Sequence, residues 1–95
     1  MAVKIIIRRN VPELSREDIY PLLKQLREHA LNQDGYISGE TLRSFDNPDE
    51  FVVIGTWRSL EDWKTWEAHP ERQELQASID MLLSRKTEYG AYYYI

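Results

Sequence analysis

The chain has 95 residues, of which 42% are hydrophobic and 12% aromatic, and its 12 basic and 16 acidic side chains leave a net charge of −4. That length makes one domain over residues 1–95, and with no cysteine there is no disulfide framework, thiolate metal site or cysteine nucleophile, which fits a reducing compartment. No basic block with interleaved aromatics tracks a phosphate backbone, and MAVKIIIRRN is too short in apolar residues for a signal core or membrane span, so the expectation is a cytoplasmic protein that meets neither nucleic acid nor membrane.

The segment Val3-Lys4-Ile5-Ile6-Ile7-Arg8-Arg9 is β-branched and predicts a first strand ending at Asn10 and Pro12. Ser15 followed by Asp18 is a helix-start signal. Behind it Ile19, Leu22, Leu23, Leu26 and Ala30 recur at helical spacing, so Arg16 to about Asn32 is an amphipathic helix that Asp34-Gly35 ends. Tyr36 to Phe45 reads as a second strand. It turns back through Asp46-Asn47-Pro48-Asp49 into a third, Phe51–Trp57. Ser59 with Asp62 opens a short helix, on one side of which Trp63 and Trp66 make an aromatic wall facing the sheet or a cavity above it. Pro70 breaks that helix and suits the first turn of the next, Glu71 to Ser84, with Leu75, Ile79, Leu82 and Leu83 on one face. Tyr89 to Ile95 is a final aromatic strand.

The order β-α-β-β-α-β matches an α+β, ferredoxin-like arrangement: a four-stranded antiparallel sheet with helices on one face. Ile5-Ile6-Ile7, Phe51-Val52-Val53-Ile54 and Tyr92-Tyr93-Tyr94-Ile95 are apolar in both registers, which predicts cover on both faces. The helices cover one. The other is expected to pack on the same face of a second copy, giving a two-fold homodimer whose paired sheets resemble a barrel.

With these elements, the segment DGYISGETLRSFDNPDEFVVIGTWRSLEDWKTWEAHPERQE and its Trp-x-Ser entry into the second helix, the chain resembles the antibiotic biosynthesis monooxygenase domain, a dimeric α/β-barrel family. The resemblance covers roughly Val3 to Ile95. It implies a pocket but leaves the reaction open, because some members oxidise quinols or polyketide aromatics without metal or flavin and others bind haem and open its ring. The haem-opening members are similar in having an asparagine at the end of the first strand, a tryptophan on the helix after the third strand, and an iron-binding histidine ten residues beyond it. Asn10 and Trp66 match the first two. The third position is Gln76, whose amide lacks the basic lone pair of imidazole. His69 is expected to turn toward solvent at Pro70, and His29 to sit at the edge of the first helix's apolar stripe with one nitrogen satisfied.

The expected activity is therefore oxidation of an electron-rich aromatic, a quinol or polyphenol, by dioxygen without a bound cofactor or metal. Asn10 and Trp66 are the expected catalytic residues, with Asn10 donating to the substrate oxygen, and Trp63, Arg72 and Gln76 are the expected substrate contacts. No proton acceptor stands out. Each residue also has a plainer reading: Trp63 and Trp66 as core, Asn10 as a turn former, Arg72 paired with Glu71 or Asp80 at the surface, and Gln76 as a solvated helix position. Asp46, Asp49 and Glu50 read as solvated turn residues, without the spacing of a calcium loop. Haem binding or degradation, a non-catalytic dimeric binding module and a purely structural dimer with a filled pocket stay open as alternatives.

Overall fold

Residues Val3–Asn10 form the first strand, β1, and burial alternates along it: Val3, Ile5, Ile7 and Arg9 are buried, while Lys4, Ile6, Arg8 and Asn10 are less so. A period of two places the first set on one face of the sheet and the second set on the other. The computed structural model describes residues 1–95 and continues with α1 (Arg16–Leu31), β2 (Tyr36–Arg43), β3 (Glu50–Trp57), α2 (Leu60–Glu67), α3 (Pro70–Leu82) and β4 (Glu88–Tyr93). The strands lie in the order β2-β3-β1-β4, with every neighbouring pair antiparallel. This is the expected ferredoxin-like α+β fold.

Pairing register carries the alternation across the sheet. Val3, Ile5, Ile7 and Arg9 stand opposite Trp57, Gly55, Val53 and Phe51, and this is the face on which the helices pack. Two apolar clusters fill that layer. One gathers Val3, Ile5, Ile7, Ala30, Trp57, Trp63 and Trp66; the other gathers Val11, Ile19, Phe51, Ile79 and Leu83. Ile5, Ile19 and Ile79 are at most 1% exposed, and burying each side chain contributes about 1.5–3 kcal/mol. Arg9 falls between Ile7 of the first cluster and Val11 of the second, so a buried polar residue separates the two.

The opposite face presents Ile6, Ile54 and Val52 at its centre, with Leu42 from β2 and Tyr92 from β4 beside them. No helix of this chain covers it. Leu42 and Tyr92 are 47% and 52% exposed, and Lys4 Nζ donates across the strands to Thr56 Oγ1 at 2.8 Å.

Several boundaries differ from expectation for local reasons. Ser59 is a true N-cap, extended at φ −152°, whose Oγ accepts from the Asp62 N–H at 3.1 Å and donates to Asp62 Oδ2 at 3.0 Å. Ser15 is not one. A single 3-10 turn, Glu13–Ser15, already gives it near-helical dihedrals, and its side chain caps nothing. α1 stops at Leu31, and Gly35 turns the chain at φ +85°, a left-handed conformation that glycine adopts without strain. β2 ends at Arg43, leaving Phe45 exposed in the turn, and β4 ends at Tyr93, two residues before Ile95. α3 begins at Pro70 itself, because the His69 Nδ1 caps it by accepting the Glu71 N–H at 3.1 Å.

Candidate active site

Gly55 and Trp57 close the inward face of β3, and α2 lays Trp63 and Trp66 over it three residues apart, on one side of the helix. Together with Ile5, Ile7 and Val53 from the sheet and Leu23 and Leu26 from α1, the three indoles line a cavity of about 80 Å³. They are also core residues, each no more than 4% exposed. The aromatic rings run in a chain: Tyr36 meets Trp57 edge-on at 5.2 Å, Trp57 meets Trp63 at 5.8 Å, and Trp63 meets Tyr89 at 6.3 Å. Trp63 and Trp66 therefore both line the cavity and pack in the core.

Charge enters the cavity wall as three arginines, Arg9, Arg27 and Arg72, against one carboxylate, Glu40. Arg72 is 3% exposed and pairs with no acid, contrary to the surface ion pair expected of it. Its Nη2 donates to the Tyr89 hydroxyl at 2.9 Å, and its guanidinium lies 5.2 Å from the Trp63 ring and 5.3 Å from the Tyr89 ring. Two aromatic faces thus hold the cation in place. Arg9, also 3% exposed, donates through Nη2 to Gln76 Oε1 at 2.8 Å, and Gln76 Nε2 donates in turn to Asp80 Oδ1 at 2.8 Å and Thr87 Oγ1 at 3.1 Å. The Arg9 Nε is buried and meets no protein acceptor. Burial pushes the Arg9 guanidinium down to about 10; Arg72 pushes the same way, while Tyr89 and Asp80 oppose it. It stays charged at neutral pH.

Beyond Arg72 lies a wider polar groove of about 390 Å³, walled by Glu67, Gln73, Gln76, Asp80, Lys86, Thr87 and Tyr89. Arg72 belongs to both cavities. Of the residues expected at the site, Trp63, Trp66 and Arg72 converge on the inner cavity and Gln76 faces the groove. Gln76 is buried, not solvated, because α3 carries it onto Arg9. Asn10 is not brought in. It shares the outward register of Lys4, Ile6 and Arg8, opposite Glu50, and lines neither cavity. Arg9 and Trp57 belong to the cavity and were not expected there. Arg9 carries a sequence signal, since it continues the inward alternation of Val3, Ile5 and Ile7.

The residues do not fit haem. The Gln76 amide is committed to Arg9, Asp80 and Thr87, His69 uses Nδ1 as a helix cap, and the cavity of about 80 Å³ falls well below the roughly 300–1,000 Å³ of cofactor-sized pockets. His29 is half-exposed, with Nδ1 2.7 Å from Glu71 Oε2, as expected of a boundary residue with a satisfied nitrogen. No three His, Asp or Glu side chains converge as a metal site would require, and no helix is long and apolar enough to cross a membrane.

Solved structures resemble this fold closely. A protein of Mycobacterium tuberculosis superposes with a TM-score of 0.88 at 21% identity, covering 100% of this chain and 96% of that one. A conserved protein of Methanosarcina mazei gives 0.89 at 18%, covering 97% and 91%. SnoaB, a cofactor-independent oxygenase from Streptomyces nogalater, gives 0.85 at 18%, covering 98% and 92%. At such identities the likeness is one of fold. No curated protein sequence matches the chain. The family model for antibiotic biosynthesis monooxygenase matches residues 2–78, most of the chain and every element up to the middle of α3, and the chain therefore belongs to the antibiotic biosynthesis monooxygenase family.

Proposed function

We propose that the protein is a small homodimeric monooxygenase that oxidises an electron-rich aromatic, a quinol or polyphenol, with dioxygen and no bound cofactor. The observation that carries this reading is the indole-walled cavity closed at one end by Arg9 and Arg72. Family membership supports it, as does SnoaB, described as a cofactor-independent oxygenase.

In the simplest case a phenol loses its O–H proton, and the phenolate passes one electron to dioxygen. Ring radical and superoxide join at a C–H carbon, and the peroxide takes back a proton and loses water with that carbon's hydrogen, leaving a carbonyl. One oxygen atom stays on the ring and the other leaves as water. The chain's duties are to exclude water from the ring and to hold the anion with fixed donors. Trp63 and Trp66 do the first. Arg9 and Arg72 do the second, taking the donor role expected of Asn10. The proton passes to water, because Glu40, the sole carboxylate lining the cavity, is exposed and stands in the outward register opposite Ile54.

An oxygen electrode with a panel of quinols and polyphenols tests the reading. Uptake should rise with protein, Trp66→Phe should lower kcat/KM about tenfold or more, as loss of positioning does, and Asn10→Ala should match the parent. No uptake on any electron-rich ring would sink it. The scarcity of proton acceptors in the cavity favours a second reading, a dimeric binding module, which takes up ligand without consuming oxygen.

A further inference from the structure

We infer that the arginine-lined end of the cavity is an anion site, and that the ligand it takes is a single-ring aromatic bearing a carboxylate, bound through Arg9 and Arg72 with its ring on the indoles. This rests on reading the cavity as the ligand site and adds the ligand's charge and size. Two guanidiniums, each 3% exposed, meet there, and the nearest carboxylate to Arg9 in its hydrogen-bond network, Asp80, is reached only through the Gln76 amide. Buried charge is ordinarily paired. This pair lacks a direct counter-ion.

The donors are set for one. A guanidinium has five N–H groups in a planar fork that matches a carboxylate. Arg9 places one on Gln76 and keeps a buried Nε–H without any protein acceptor, while Arg72 places one on Tyr89 and is held between two rings. A neutral phenol brings only a dipole to this end, because its proton leaves near pH 10; a carboxylate is ionised throughout the physiological range and supplies the missing charge. Size comes from the volume. A cavity near 150 Å³ holds a benzene; this one, at about 80 Å³, is smaller, so the proposed ligand is limited to a single ring and its entry requires the half-buried Leu23 and Leu26 of α1 to give way.

Calorimetric titration with salicylate, against salicylamide and phenol as neutral counterparts, tests the inference. Salicylate should bind at least about tenfold tighter than either, the ratio expected of a charge-assisted hydrogen bond, and Arg9→Met or Arg72→Met should remove that preference while phenol binding persists. Arg72→Lys should restore part of it. Equal affinities for the three ligands, no binding of any, or a preference that survives in Arg72→Met would overturn the inference, and the Arg72 variants serve if Arg9→Met does not fold. Salicylate preference without oxygen uptake on any aromatic leaves the anion site standing and removes the monooxygenase reading. Uptake on neutral quinols without salicylate preference does the reverse.

Discussion

At Arg9 burial and hydrogen bonding pull in opposite directions. Its guanidinium is lowered to about 10, chiefly by desolvation, which corresponds to about 3 kcal/mol against the charged form in the folded chain. Arg9→Met removes that penalty but leaves Gln76 Oε1 without its donor, a loss of about 1–3 kcal/mol. The two nearly cancel, so urea unfolding should find this variant within about 2 kcal/mol of the parent. Ile79→Ala, at a position 0% exposed, should lose about 2–5 kcal/mol. The dependence on pH has a definite sign. Between the folded value of about 10 and the higher unfolded value the unfolded chain binds more protons, so the penalty is fully present below pH 10 and fades as pH rises above it. The difference in unfolding free energy between Arg9→Met and the parent should be flat from pH 6 to 9 and move toward the parent above 10.

The helices show how far a short motif can be read. Ser15 and Ser59 begin the same Ser-x-x-Asp pattern, yet only Ser59 caps, because the chain reaches it extended from a strand and reaches Ser15 through a 3-10 turn. Ser59→Ala should therefore cost about 1 kcal/mol in urea unfolding, whereas Ser15→Ala should cost almost nothing. Element type was legible throughout, since β-branched runs and 3.6-residue periodicity are properties of the chain itself. The site was less so. Asn10 and Arg9 are adjacent, and a shift of one residue in a strand exchanges the faces of the sheet; that parity separates a cavity residue from an outward one. Gln76 and Arg72 look like surface positions on a polar helix until α3 is docked beside β1 and β4, a tertiary fact that local pattern does not contain.

For the whole molecule the unresolved balance is the outer sheet face. Ile6, Val52 and Ile54 form its apolar centre, yet within one chain they are only partly buried and no helix lies over them. A second copy laid on this face would remove that surface from water at about 25 cal/mol per Å² and is the expected assembly. Ile54→Lys should shift the mass by light scattering from dimer to monomer at micromolar protein, with the secondary structure retained. A parent chain that is itself monomeric would refute the pairing.

All three tryptophans of the chain line the cavity. Intrinsic fluorescence from this protein is therefore a local instrument: excited near 295 nm, it reports on one chamber and almost nothing else. The edge-on contact of Trp57 and Trp63 should also couple their transitions in near-ultraviolet circular dichroism. An emission change that precedes the far-ultraviolet transition during unfolding would mean that the chamber opens before the sheet comes apart.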